Sequence, residues 1–289
     1  MLKIKCACGK KLKLKDLDLN KLTCPQCGTL IKLTSEEQRL IGVALYSGDG
    51  IEQNFEEAVK WILLAANNGH ARAQCNMGVC YANGEGVPHD WDKAVYWYSK
   101  SAEQGYAVAQ VKLGTCYLNG TGVPHSNKAA CELFQKSAEQ GNAWAMNSLG
   151  EFYLTGTVVE KNISRAITLF KAAAQKGNWT AQYNLGLLYY EGKLVKENYS
   201  VAVKYFKKAA RTGFKDAIKW LNEHYYFNGT HQCPVCRGTG REEHWSVDSK
   251  GERVINTIRC EFCDGTGLAK SDSDEIEMKF FGDKGKRDI

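Results

Sequence analysis

The feature that most constrains this chain is a period of 36 residues that runs through its middle. Small residues return at the same places in five consecutive windows between residues 42 and 213, and four separate series keep one register. One of these series consists of Gly42, Gly78, Gly114, Gly150 and Gly186. Because self-similarity at a fixed period is the signature of repeat architectures, the middle is predicted to fold as stacked copies of one unit.

Each unit has the pattern of a pair of helices. In the second unit, Ala73 and Met77 begin one helical stripe, residues 83–86 break it, and a second stripe starts at Ala94 and ends before Gly105. A good N-cap residue stands at the start of every second helix. These N-cap residues are Asn54, Asp90, Ser126, Asn162 and Asn198.

The glycine in the middle of each first helix is an unfavourable helix residue. Glycine there costs about 1 kcal/mol relative to alanine, so close packing against the neighbouring helix is predicted as the compensation. Five helix pairs are predicted, followed at 215–228 by a sixth first helix that carries Asn222 in place of the glycine and resembles a terminal cap. The predicted pairs span 36–69, 71–105, 107–141, 143–177 and 179–213.

The pattern resembles the Sel-one-like repeat, a relative of the tetratricopeptide repeat. The resemblance is carried by segments such as 109–117, 120–124 and 138–141, and it covers roughly residues 36–228. It implies an all-α fold, a right-handed α/α superhelical solenoid with a concave groove, and a non-catalytic role as a protein–protein interaction scaffold. First-helix positions outside the core should line that groove and bind a protein partner. The register-equivalent candidates are Asn76, Lys112 and Asn184.

Two cysteine pairs precede the repeats, separated by fifteen residues. Two pairs joined by a loop of hairpin length are typical of a tetrahedral zinc site with four sulfur ligands. The segment 1–34 resembles a zinc ribbon, although only one residue separates the first pair. Buried, reduced cysteines are the alternative interpretation. The candidate zinc ligands are Cys6, Cys8, Cys24 and Cys27.

A second set of four cysteines follows the repeats, within residues 230–267. Both of its pairs fit C-x-x-C-x-G-x-G, and the set resembles the cysteine-rich zinc finger of DnaJ-type chaperones, with half the usual number of motifs. This resemblance implies a second zinc ion, and the β-branched residues between the pairs predict a β-hairpin. Thiol–disulfide exchange is the alternative to a structural site. The candidate ligands are Cys233, Cys236, Cys260 and Cys263.

Charge raises a second hypothesis for the N-terminal module. Residues 1–34 contain eight lysines against two aspartates, a net charge of +6 that equals the net charge of the whole chain. Such a module could attract a nucleic-acid backbone, but a solvated surface is the simpler interpretation. The absence of Phe, Tyr and Trp from residues 1–34 disfavours recognition of single strands.

The remaining patterns favour a non-enzymatic cytoplasmic protein. No nucleophile elbow, P-loop or dinucleotide-binding motif is present. No apolar run approaches the ~20 residues that span a bilayer, and the N-terminus lacks the apolar core of a secretory signal. We therefore expect a zinc ribbon at 1–34, a solenoid of five repeats plus a capping helix at 35–229, a second zinc module at 230–267 and a disordered tail at 268–289. A chaperone-like role for the second module is the third hypothesis.

Overall fold

The structure is a computed structural model, and it describes residues 3–13, 19, 21–226, 241–247 and 253–259. Of the last two segments it describes the backbone alone. The described residues divide into two compact units. The N-terminal unit extends to Lys161 and the C-terminal unit begins at Asn162.

Helices in consecutive pairs make up most of the described chain, and they confirm the predicted all-α repeat class. The first helices of the five pairs are α1 (Ser35–Ser47), α3 (Ala71–Asn83), α5 (Ala107–Asn119), α7 (Ala143–Thr155) and α9 (Trp179–Glu191). The second helices are α2 (Phe55–Asn67), α4 (Trp91–Glu103), α6 (Asn127–Glu139), α8 (Ile163–Gln175) and α10 (Tyr199–Ala210). A shorter helix, α11 (Lys215–Leu221), follows and continues into a π-helical turn at Asn222–Tyr226.

Capping residues fix where the helices begin. Each predicted N-cap of a second helix accepts a hydrogen bond from the backbone N–H three residues later, as Asn198 does from Val201 at 3.0 Å. Helix α1 begins with a complete capping box, in which Thr34 and Glu37 each accept from the other's backbone N–H. Every first helix ends at a glycine in the left-handed region, such as Gly84 with φ of 71°.

In the helix pairs that lie within one unit, the mid-helix glycine allows the two helices to approach closely, as the sequence predicts. A Cβ atom built on Gly78 would lie 2.5 Å from the ring of Tyr98 on α4. The same atom on Gly186 would lie 2.7 Å from the ring of Phe206 on α10. Since both aromatic side chains are buried, each glycine makes room for the largest core residue of the second helix.

The N-terminal unit adds a small antiparallel sheet to its repeats. Strands β1 (Lys3–Lys5) and β2 (Lys11–Lys13) pair with Ile4 opposite Leu12, and both of these apolar side chains are buried. They belong to one hydrophobic cluster with Ile41 of α1 and with Trp61 and Ile62 of α2. The segment before the repeats therefore shares a core with the first helix pair.

The C-terminal unit places an aromatic core between its last helices. The rings of Phe206 on α10 and Trp220 on α11 stack with their centroids 3.9 Å apart, and Tyr225 is buried beside them. Strands β3 (Arg241–Val247) and β4 (Arg253–Arg259) form an antiparallel hairpin, which confirms the hairpin predicted between the C-terminal cysteine pairs. Among the helices that the structure describes, none has the length and apolarity that crossing a membrane requires.

Candidate metal centre and interaction cleft

The four N-terminal cysteines, which are 21 residues apart at most, meet at one point of the N-terminal unit. All four sulfur atoms lie within 4.8 Å of one another. The Sγ atoms of Cys6 and Cys27 are 3.5 Å apart, and those of Cys8 and Cys24 are 3.8 Å apart. Cys6 and Cys24 are buried, whereas Cys8 and Cys27 are exposed.

Two similar backbone turns bring the cysteine pairs together. In the first turn, the N–H of Cys6 donates to the carbonyl of Lys10 at 2.9 Å, and Gly9 takes a φ of 85°. In the second turn, the N–H of Cys24 donates to the carbonyl of Thr29 at 2.9 Å. A left-handed glycine follows the second cysteine of each pair, so the one-residue gap in the first pair still forms a tight turn.

The thiols of this cluster titrate differently because their surroundings differ. The side chain and backbone N–H of Thr29 donate to Cys27 and lower the pKa of its thiol to about 6. Hydrogen bonds from the Cys8 backbone and from Thr29 lower the pKa of Cys6. The backbone N–H of Lys10 favours the Cys8 thiolate, but the neighbouring sulfurs of Cys6 and Cys27 raise the pKa of Cys8 to about 11. Four thiolates this close together require a cation to balance them.

The donor set fits zinc. A tetrahedral site with Zn–S distances of about 2.3 Å places its sulfurs about 3.8 Å from one another. The two sulfur pairs, at 3.5 and 3.8 Å, are close to that separation. The residues that would hold the ion are Cys6, Cys8, Cys24 and Cys27.

The second predicted zinc site stays a prediction. Its candidate ligands Cys233, Cys236, Cys260 and Cys263 lie outside the described residues, as does the tail 268–289. The four remaining cysteines are buried in the repeat helices, and burial raises the pKa of both Cys75 and Cys80 to about 12.

A cleft of about 400 Å³ opens where successive repeats of the N-terminal unit meet. Its lining includes residues at the start of α3, the residues just before α5, and the glutamines that cap the ends of α4 and α6. A ladder of glutamine side chains connects successive repeats at this cleft. Gln104 donates to Gln74 at 2.6 Å, and Gln140 donates to Gln110 at 3.0 Å. Both donors and both acceptors are separated by one 36-residue period.

Charges are concentrated at one end of this cleft. Glu36 accepts two hydrogen bonds from Arg39, each 2.7 Å long, and lies 2.9 Å from Nε2 of His70. The hydrogen bonds from Arg39 are the main reason that the pKa of Glu36 lies below its ordinary value. Arg72 is exposed, and its guanidinium carbon is 5.9 Å from the ring centroid of Tyr106. The cleft thus presents a cation beside an aromatic ring.

The predicted groove residues have unequal surroundings. Lys112 is exposed and Asn184 is half-buried. Asn76 is 3% exposed, and within the described chain its Nδ2 atom finds no hydrogen-bond acceptor. Their role in partner binding stays a prediction.

Residues of the cleft were missed by sequence reasoning. The repetition of glutamine at 74 and 110, and at 104 and 140, was the available signal. It does not reveal that an arginine and a tyrosine meet beside the ladder.

Comparison with known proteins finds the same repeat and no curated relative. The Sel1 repeat family model matches residues 38–70, 71–106, 107–142, 145–178 and 179–214. A search of curated proteins found no match. A Sel1 repeat protein from Oxalobacter formigenes is 32% identical, with a TM-score of 0.64 over 73% of this chain and 84% of that chain. A protective antigen of uropathogenic Escherichia coli strains, which displays an SLR fold, is 31% identical, with a TM-score of 0.56 over 68% of this chain and 42% of that one.

Proposed function

Because the chain belongs to the Sel1 repeat family, we propose that it is a non-catalytic scaffold whose repeats bind partner proteins. Proteins of this family commonly act as protein-interaction scaffolds. The observation that best supports the proposal is the cleft of the N-terminal unit, where three successive repeats contribute register-equivalent side chains. A partner segment that follows the repeats would meet a glutamine amide at successive steps, first from Gln104 and then from Gln140.

The cleft offers the contacts that protein recognition uses. Arginine and tyrosine are enriched at the centres of protein interfaces, and Arg72 and Tyr106 lie side by side here. Gln104 and Gln140 add exposed amides along the edge. A partner segment with a carboxylate would pair with Arg72, whereas the carboxylate of Glu36 is already bound by Arg39 and His70.

Zinc has a structural role in this proposal. Four protein thiolates close a zinc site and leave no position for substrate. The buried ligands Cys6 and Cys24 belong to the hydrophobic cluster that includes Trp61 and Ile62 of the first repeat. An ion bound there would hold the module 1–34 as the N-terminal cap of the array.

Site-specific photocrosslinking tests the scaffold. A photoreactive phenylalanine analogue replaces Tyr106 in the cleft, and in a matched control it replaces Tyr96, which is 51% exposed on α4. Irradiation in nuclease-treated lysate should give discrete protein adducts from position 106 and not from position 96. Equal adducts from both positions, or adducts from neither, would contradict partner binding in the cleft.

A specific observation favours nucleic-acid association as a second candidate function. Strand register places Lys5 opposite Lys11 and Lys3 opposite Lys13, alternating with the buried Ile4 and Leu12. Like charges directly opposite each other destabilise a sheet, so this arrangement suits an anionic partner. Replacing Lys5 and Lys11 by glutamate should then weaken the salt-sensitive binding of nucleic acid by the full chain. Unchanged binding would remove this candidate.

A further inference from the structure

The second helices of the repeats differ in charge although they are equivalent in structure. Helices α2, α4 and α6 each carry both acidic and basic residues. Helices α8 and α10 carry no aspartate or glutamate, and their charged residues are Arg165, Lys171, Lys204, Lys207 and Lys208. Helices α2, α4 and α6 occupy the equivalent positions in their repeats with charges of both signs. The repeat fold therefore does not require second helices that carry only basic residues.

The exposed basic residues of α10 and its C-cap form one outward stripe. Lys204, Lys208 and Arg211 are exposed at spacings of four and three residues, which places them on one side of the helix. Along the axis, the first two are about 6 Å apart and the whole stripe is about 10 Å long. Within the described part of the chain, these three side chains make no ion pair.

Helix α8 adds two basic residues, Arg165 and Lys171, to this unit. Burial and the neighbouring Tyr189 raise the pKa of Tyr205 on α10, and the charge of Lys171 on α8 acts in the opposite direction. Lys171 on α8 therefore stabilises the ionised form of Tyr205, whose ring lies beside the stripe. The rings of Tyr189 and Tyr205 are parallel with centroids 6.1 Å apart, and the Nζ of Lys208 lies 6.0 Å from the centroid of Tyr205.

The acidic residues of this unit whose side chains the structure describes lie outside the two helices, although Glu197 immediately precedes the N-cap of α10 and α11 carries an aspartate in its first turn. Glu191 belongs to α9 and pairs with Lys193 at 3.5 Å. Glu223 follows α11 and lies 3.9 Å from Lys219. The charged residues within α8 and α10 themselves are therefore all basic.

We propose that the outer face of α8 and α10 binds the phosphate backbone of nucleic acid. The exposed side chains of the two helices are of the types that contact phosphate, namely lysine, arginine, serine, threonine and glutamine. Contacts from these side chains to phosphate carry no sequence information, so binding should be through the backbone and independent of sequence. The proposal gives the scaffold a second kind of partner.

An acidic protein is the competing occupant, and the composition of the face disfavours it. Protein interfaces have aromatic and apolar centres, and interfaces with nucleic acid are more polar and more positively charged. Among the described residues, the large exposed apolar side chains are Leu30, Leu64, Tyr96, Trp144, Trp179 and Leu194. None of them lies in α8 or α10.

The test compares two double substitutions of equal charge in the full chain. The test variant combines Lys204→Glu and Lys208→Glu on the proposed face. The control variant combines Lys128→Glu and Lys136→Glu, which change exposed lysines of α6. Lys136 has the same position in its repeat as Lys208. Fluorescence anisotropy measures binding of a labelled uridine oligonucleotide and of a DNA duplex, which distinguish single from double strands. A third variant, Lys204→Gln with Lys208→Gln, removes the two positive charges without adding negative ones. It tests whether loss of the positive charges alone weakens binding.

The α10 pair should weaken binding at least about tenfold, and the loss of two phosphate contacts should reduce the salt slope by about 2. The α6 pair should change affinity by less than about threefold, which is the effect of net charge alone. Equal losses for the two pairs would overturn the proposal. Displacement of the probe by polyglutamate at equal charge would overturn it too, in favour of an acidic protein.

Discussion

Gly114 on α5 faces the ring of Phe134 on α6 so closely that a Cβ atom on Gly114 would lie 2.7 Å from Cε1 of that ring. Phe134 is 1% exposed and cannot move outward without losing its burial. The identity of one residue therefore sets the distance between the helices of this pair.

The substitution Gly114→Ala should destabilise the protein. Overpacking a core costs about 1–3 kcal/mol, against a gain of about 1 kcal/mol from the better helix propensity of alanine. Urea unfolding should show a net loss for Gly114→Ala, while the neighbouring exposed substitution Thr115→Ala should change stability little. A Gly114→Ala protein that is more stable than the parent would show that the contact with Phe134 is looser than described.

Zinc content should fall by one equivalent when Cys27 is replaced by serine. The substitution removes one of the four sulfurs that meet within 4.8 Å. Metal analysis of the purified protein measures the change, with Cys131→Ala on α6 as a control that removes a buried cysteine elsewhere. Unchanged zinc in the Cys27→Ser protein would contradict the site.

Removal of the zinc should loosen the first repeat as well as the module before it. Ile4, Cys6 and Cys24 share a hydrophobic cluster with Trp61, so apolar surface on α1 and α2 would be exposed together with the cysteines. Hydrogen exchange after chelation should quicken in α1 and α2 and stay slow in α5 and α6. Exchange that quickens only before residue 34 would show that the module is not a cap.

Loss of an N-cap should destabilise the C-terminal unit. Asn198 accepts from the N–H of Val201 at 3.0 Å, and Asn198→Ala should cost about 0.5–2 kcal/mol. Asn198→Asp keeps an acceptor oxygen and should restore most of the stability in urea unfolding. Equal losses for alanine and aspartate would mean that the side chain does not cap α10.

Acid should weaken the contact between Glu36 and Arg39. Arg39 lowers the pKa of Glu36 in the folded protein, so this contribution to stability is complete above the ordinary pKa of glutamate. It is lost as the pH falls through the lowered folded value. Between about pH 6 and 3, the free energy of unfolding should therefore depend less on pH in the Glu36→Gln protein than in the parent. An unchanged pH dependence would contradict the role of this ion pair.

The sequence predicted the repeat fold because the determinants of a repeat are local. Capping residues such as Asn198 and mid-helix glycines such as Gly78 act on neighbouring helices, and they recur at a fixed period. The four N-terminal cysteines could be predicted as a set because few arrangements other than metal binding use that spacing.

Contacts between different repeats were harder to predict. Arg72 lies in the first turn of α3 and Tyr106 is the N-cap of α5, and neither occupies a position where the residue type repeats. Asn76 was placed in the groove by register, yet it is 3% exposed, because packing of neighbouring side chains and not register alone decides burial. The charge difference of α8 and α10 is visible in the sequence, but its meaning depends on the structural equivalence of the helices.

Capture of partner proteins by cleft variants tests the scaffold most directly. The full chain, an Arg72→Glu protein and an Lys128→Glu control are used as baits in nuclease-treated lysate, and the recovered proteins are quantified by mass spectrometry. The account predicts a protein retained by the parent and the control and lost with Arg72→Glu. Recovery that is equal for all three baits, or a parent bait that retains no protein, would contradict it.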